Sequence, residues 1–517
     1  MFVVIDMNLL QEMFLYSENS VRKGEGEKMS VEHDKMVLDA KKRKSAFKLN
    51  PDKIIKSATE MGFGSKSLEL LKRALAVESL GAMPFSLYRA PPIIERGGEG
   101  AVIYDADGKE YIDMIAGFSV NNIGYHRREV LDAIIEQFNK ISQYAEMLSE
   151  VRIKLSELLV KVTPGNYPKK VFYGVTGTDA NEITLKLVRF YTGRAYVMTH
   201  WADYHGRTSA VSALTSSFST WAQTYPVPPS DPAIVRFPFP YCYRCPFGLK
   251  RDSCGLACLH HVEYMLASSY YGLSSPGKGL TNVAAFLIEP FQSAAGYIIP
   301  PEEYLPGIYK IAKERDILFV VDEIQTGWAR TGKLWAVNHY PGIEPDIILV
   351  SKSIAGGLPC SAVVGRSEIM DSWGPGGFST TFAGYMLAAA SALKTIEIII
   401  SEDLASQADE KGRYFLKGLE ELKSRHPILG DIQGKGLYIG LEFVKDEREK
   451  TPAAKETEWM ASRLLELGML VKRAGYFRNR FALSPPLNIT YQQIDKALEI
   501  FDRAFTEAEQ KFNIKKS

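Results

Sequence analysis

The chain has 517 residues, 46% of them hydrophobic and 24% charged, which is ordinary for a folded globular protein and too long for a single core. Its 62 basic and 61 acidic residues leave a formal net charge of +1, so nothing in the electrostatics argues for nucleic acid as a partner, and a small molecule is expected instead. No apolar run approaches the roughly 20 residues of a membrane span, and the opening MFVVIDMNLLQEMFLY carries Asp6 and Glu12 with neither a basic leader nor a small-residue cleavage site; a cytoplasmic protein without a membrane partner is expected.

In chain order, residues 1–50 are dense in charge and poor in apolar periodicity, and read as a disordered N-terminal extension. Residues 51–125 form the first part of a small domain. From Pro84 the stretch PPIIERGGEGAVIYDADGKEYIDMIAGFSV alternates apolar and polar residues around Gly-Gly and Asp-Gly turns and predicts an antiparallel meander. Residues 126–385 form the large domain, where the helical spacing of REVLDAIIEQFNKI gives way, from about 170 to 370, to apolar strands alternating with helices. Residues 386–517 return to the small domain, with a helix at MLAAASALKTIEIII, strands in GKGLYIGLEFV and a closing helix at QQIDKALEIFDRAFTEAEQKF. The expected fold class is α/β, with a large, mostly parallel-sheet domain and a smaller α+β domain built from both termini.

Three strands of the large domain run apolar and stop on charge: AAFLIE at Glu289, ILFVVDE at Asp322 and IILVSK at Lys352. Ligands of parallel α/β sheets bind beyond the carboxyl ends of the strands, so two acids and a lysine are expected around one cleft. A lysine there, beside the close-approaching backbone of Gly356 and Gly357, can form a Schiff base with an aldehyde cofactor if its pKa is lowered. An isolated lysine is more often solvated. Asp322 is costly to bury without a cation, which a protonated pyridine nitrogen would supply; a helix cap or a pair with Arg330 is the alternative. Gln325 can reach a phenolic oxygen of such a cofactor, and Glu289 is expected to orient water or Gln325. VFYGVTGTDANEITLKLVRF supplies a strand, a turn and a helix start, where Gly177 and Thr178 offer amides and a hydroxyl to a phosphate. Tyr204, in DYHGR, can cover one face of a planar ring or equally pack in the core.

With these residues in place, the chain resembles the class III aminotransferases, fold type I enzymes that use pyridoxal 5'-phosphate and include the 4-aminobutyrate, ornithine and acetylornithine aminotransferases. The resemblance runs from about Pro91 to the C-terminus and is carried by DEIQTGWARTGKLWA and by SKSIAGGLP, whose lysine lies 30 residues after Asp322. It implies Lys352 as the Schiff-base lysine, Asp322 as partner of the pyridine nitrogen and Gln325 as the contact to the phenolic oxygen. It also implies Tyr204 as the stacking aromatic, and Gly177 and Thr178 as the phosphate site. Thr381, in STTFAG, matches the threonine that reaches the phosphate of the neighbouring subunit, which implies a homodimer.

Two departures bear on the substrate. The family's gate glutamate, five residues after the EP glutamate, is Ala294 here, and the C-terminal arginine that grips a carboxylate is Ala482 in ALSPPL. Losing both together is coherent, since either charge alone would be buried without its partner. Arg473, Arg478 and Arg480 are candidates for a displaced grip, each otherwise a surface charge. The expected reaction moves an amino group from an amino acid or ω-amino acid to a keto acid such as 2-oxoglutarate. The alternative is a racemase or epimerase of the same family, which needs a second proton donor; its usual gate aspartate is again Ala294, leaving Tyr297 or a water. Phe118, Val120 and Tyr144 are pocket candidates by their position in the family.

Four of the five cysteines, Cys242, Cys245, Cys254 and Cys258, lie together ahead of His260 and His261. Their spacing admits a structural zinc or iron–sulfur site, disulfides, or a loop of free thiols, and raises a non-catalytic, metal-stabilised module as a third class of reading. Catalysis needs no metal, and none is assigned. Cys360 reads as a small buried residue.

Overall fold

The structure is a computed structural model that describes residues 50–79, 90–145, 147–217 and 231–515. The expected extension at 1–50 falls outside the described residues except for Asn50, whose side chain caps helix Pro51–Glu60. Beyond helix Ser65–Val77, the meander forms from strands Ile94–Glu99, Val102–Asp105 and Glu110–Asp113, each antiparallel to the next. Its expected beginning, from Pro84 to Arg89, also lies outside the described residues.

The meander ends earlier than the alternation predicts. At MIAGFSV the backbone turns left-handed through Ala116, Gly117, Phe118 and Ser119, because the Asp113 carboxylate accepts the amides of Ile115 and Ala116, at 2.7 and 3.1 Å, and folds the chain back.

Seven strands make the large sheet, in the order Lys169–Gly174, Ser361–Arg366, Ile347–Val350, Leu318–Asp322, Val283–Ile288, Tyr196–His200, Ile234–Phe237. Only Ser361–Arg366 runs against the others. Val283–Ile288 and Ile347–Val350 are buried at every position, which is why their sequences are unbroken apolar runs: helices cover both faces of the sheet. One of these helices, Gly177–Thr192, starts on a capping box between Thr176 and Asp179 and stops at Gly193, whose φ of 66° ends the helix in the left-handed region.

A second sheet takes strands from both ends of the chain, since Met469–Leu470 pairs in parallel with Glu110–Asp113. A third, antiparallel sheet orders Leu429–Lys435, Tyr438–Phe443, Arg480–Leu483 and Lys472–Ala474. Helix Tyr491–Phe512 closes the chain, burying Ile494, Ala497, Phe501, Ala504, Phe505 and Ala508 along one stripe. Among the described residues, no helix is long and apolar enough to cross a membrane.

Candidate active site

The three charged strand ends converge as their pattern predicts. Lys352, Asp322 and Glu289 line one cavity of about 190 Å³ together with Gly177, Thr178, Tyr204, His205 and Gln325. Several waters would fit that volume, at about 30 Å³ each, and so would a small substituted ring.

Lys352 opens a short turn, Lys352–Ala355, directly after strand Ile347–Val350, with φ at +46°, a left-handed backbone that costs a non-glycine residue roughly 1–2 kcal/mol. Its Nζ donates to Gln325 Oε1 at 2.6 Å. Burial, and then the charge of nearby Lys472, push this amine down to about 8, against the pull of Tyr297, Glu289 and Asp322. Gln325 passes the contact on, its Nε2 donating to the Tyr297 hydroxyl at 2.6 Å, and that hydroxyl donates to Ser484 Oγ at 2.9 Å.

Asp322 is held by three donors. His205 Nδ1 lies 2.8 Å and Asn181 Nδ2 3.1 Å from one carboxylate oxygen, and the Ile324 amide 3.0 Å from the other. Arg330 does not pair with Asp322. It is spent on the carbonyls of Leu437, at 3.2 Å, and Pro485, at 2.5 Å, and on the Asn122 side chain. Nor does Glu289 orient Gln325: its carboxyl takes the amide and hydroxyl of Ser293, at 2.7 and 2.6 Å, and the Tyr204 amide at 3.3 Å, fixing the loop that carries the aromatic ring.

His205 and Asn181 are the members of the site that the sequence left unmarked. His205 sits between two acids, 2.8 Å from Asp322 and 3.6 Å from Asp203. Burial lowers its pKa, but hydrogen bonds to Asp203 and Asp322 and their charges prevail and raise it to about 10. Burial, and then the charge of Asp203, push Glu289 up to about 8. Both groups therefore hold protons in the folded state that the unfolded chain releases near 6.5 and 4.5. The His205 contribution is complete below pH 6.5 and fades toward 10, and that of Glu289 fades between 4.5 and 8. Thermal melts of the cofactor-free protein should accordingly show Tm falling from pH 6.5 to pH 8, where the lowered amines of Lys352 and Lys472 begin to oppose the trend, and a Tm that rises over that window would contradict the protonated His205.

The start of helix Gly177–Thr192 faces the same cavity, and neither Gly177 nor Thr178 makes an amide hydrogen bond to another described residue. Across from it, Gly206 has φ 144°, and a Cβ there would lie 2.3 Å from Thr178 Oγ1, so a side chain would fill the cradle. Free helix amides, an acid on the cavity wall and a lysine of lowered pKa fit a phosphorylated pyridine aldehyde. Thr381 stands apart, on an exposed loop where its carbonyl accepts from Gln143 at 2.8 Å; it does not line the cavity of its own chain.

The arginines are not surface charges. Arg480 is fully buried, paired with Glu442 at 2.6 Å and donating to the Gly296 carbonyl at 2.9 Å, while Arg473 is buried 3.4 Å from Glu458 and Arg478 is half-buried. Phe118 and Tyr144 are exposed and Val120 half-buried, and none of them lines the cavity. The four clustered cysteines border a separate, much smaller pocket as free thiols, with Cys258 pushed up to about 11 by burial. Cys360 is buried and likewise free.

The sequence profile of the class-III aminotransferases matches residues 88–505. The leucine/methionine racemase of Thermococcus litoralis is 36% identical over 81% of this chain and 92% of its own length. The 4-aminobutyrate aminotransferase of Mycobacterium tuberculosis is 34% identical over 79% and 90%. Among solved structures, an aminotransferase of Bacillus anthracis superposes with a TM-score of 0.77 at 28% identity, covering 86% of this chain and all of its own. The converging strand ends and these likenesses have one explanation, that the chain belongs to the class III aminotransferases, pyridoxal-phosphate-dependent enzymes of fold type I.

Proposed function

We propose that the protein transfers an amino group from an amino acid or ω-amino acid to a keto acid such as 2-oxoglutarate. The observation that carries this reading is the meeting of Lys352, Gln325, Asp322 and the Gly177 helix start in one cavity whose wall offers a single amine base. Lys352 would hold the cofactor covalently and, once displaced by substrate, move the proton; an amine near 8 keeps a working fraction of free base at neutral pH. Asp322 would keep the ring nitrogen protonated, the helix amides and Thr178 would hold the phosphate, and Tyr204, on its loop fixed by Glu289, would cover the ring. The bound cofactor supplies an electron sink that makes the substrate's C–H bond acidic.

Racemisation is the second reading, favoured by the racemase from Thermococcus litoralis. It asks for a second proton donor, and the Tyr297 hydroxyl already gives its proton to Ser484. Purified protein with cofactor should be incubated with single L-amino acids, with and without 2-oxoglutarate, and the products resolved on a chiral column. Glutamate formed only when acceptor is present supports transamination; D-amino acid accumulating without acceptor overturns it.

A homodimer fits the exposed apolar side chains Leu131, Ile135, Phe138, Ile141, Met147 and Leu148, which run along helix Arg128–Lys140 and the segment after it. The Thr381 loop borders this face through Gln143, consistent with Thr381 serving the neighbouring subunit's phosphate. Carrying Phe138→Asp and Leu148→Asp together, the protein should sediment as a monomer and lose most of its activity; a dimer that survives both changes lies elsewhere. Residues 51–125 and 386–517 would make up the small domain around the large domain at 126–385, and five unpaired cysteines suit the reducing cytoplasm.

A further inference from the structure

Lys472 does not line the cavity, and beyond the charge it presents to Lys352 the roles above give it no work. Its strand, Lys472–Ala474, pairs antiparallel with Arg480–Leu483, in a register that sets Lys472 directly opposite Ala482. Opposite residues on neighbouring strands leave the same face of the sheet with Cβ atoms about 4.5–5.5 Å apart. The lysine therefore rises beside the position where the family's carboxylate-gripping arginine would stand.

Its side chain is 8% exposed, and its ammonium has no hydrogen bond or ion pair among the described residues. Only ring faces meet it: Nζ lies 5.4 Å from the centre of Tyr297 and 5.6 Å from that of Phe118. Tyr297 is in turn joined to Lys352 through Gln325, so the cation lies one aromatic ring beyond the contacts of the reactive amine. Burial pushes this amine down to about 8, against the pull of Glu289, so its positive form is short of a counter-ion that an anion arriving beside it would supply. The other buried cations nearby are already committed, Arg480 to Glu442 and Arg473 to Glu458.

We propose that Lys472 binds the carboxylate of the substrate, supplying from the neighbouring strand the positive charge that Ala482 lacks. The proposal rests on the reading above that the substrate is an amino or keto acid. An ammonium grips a carboxylate as a point charge and not through a planar fork, so it imposes less on the carboxylate's orientation than an arginine does. With Ala294 in place of the gate glutamate, no side chain at that position competes for Lys472 when substrate is absent.

The test uses the holoenzyme with butanoate as probe, following the visible absorbance of the bound cofactor and comparing wild type with Lys472→Met, Lys472→Gln and Lys472→Arg. Loss of one charge-assisted contact should weaken butanoate binding at least about tenfold in the Met and Gln variants, with Arg restoring most of it. In turnover, KM for an α-amino acid should rise by the same factor, while KM for an amine lacking the carboxylate changes by less than about threefold. Equal butanoate binding in Lys472→Gln and wild type, or equal KM losses for both substrates, overturns the proposal. The butanoate titration needs no turnover, so it stays decisive even if no glutamate forms and the transamination reading itself falls.

Discussion

Lys352→Ala is expected to abolish turnover, lowering kcat by at least about 10⁴-fold, the upper range for losing a positioned proton carrier. It should also remove the visible absorbance of the lysine-bound cofactor. No other amine stands ready to replace it, since Lys352 is the one lysine among the residues that line the cavity. The fold should tolerate the change. Lys352 has a φ of +46°, a conformation that alanine endures no better than lysine, so the side chain is lost and the strain kept. Lys352→Gly would lose the same chemistry and relieve the strain, and should be more stable than Lys352→Ala by about 1 kcal/mol in denaturant melts. Retained turnover in either variant would remove Lys352 from the chemistry; equal stability of the two would remove the strain argument alone.

What the sequence revealed and what it hid divide along the reach of each contact. The strand ends at Glu289, Asp322 and Lys352 were legible because a parallel sheet brings its carboxyl ends to one edge whatever the details of packing. The helix start on the cavity wall was legible because a strand, a turn and a helix start are consecutive in sequence. The supports of Asp322 were not, since His205 and Asn181 reach it across 117 and 141 residues, and nothing local distinguishes them from any buried histidine or asparagine. Its charged strand end suggests that Glu289 orients water or Gln325, and only the fold of the 289–293 turn shows its oxygens taken by Ser293.

The arginines failed for the same reason. Sequence neighbours of Ala482 are the first candidates for its lost charge, but Arg480, which shares its face of the strand, is spent on Glu442 directly across the pair, and Arg473 leaves the face opposite to that of Lys472. The residue opposite Ala482 is ten positions earlier in the chain and becomes visible only with the register.

Asp322→Asn should leave the protein folded and able to take up cofactor, yet lower kcat by about 10²- to 10³-fold. The substitution keeps shape and the acceptor for the Ile324 amide at 3.0 Å, but deletes the charge and turns the oxygen that accepts from His205 and Asn181 into a donor. That charge has two partners, His205 at 2.8 Å and, in the proposed reaction, the protonated ring nitrogen. Breaking a buried ion pair costs about 3–5 kcal/mol, and the part of that loss felt more strongly in the transition state than in the bound substrate appears in kcat. His205 provides an independent reading of the same change. With one of its two carboxylates gone, its pKa should fall from about 10, and its share of the Tm profile, read as the difference from wild type at each pH, should move to lower pH in the variant. A slow enzyme with a shifted melting profile is the expected pair of results. Near-normal kcat with a shifted profile would reduce Asp322 to a structural partner of His205, and a slow enzyme with an unshifted profile would mean that Asp203 alone holds the histidine proton.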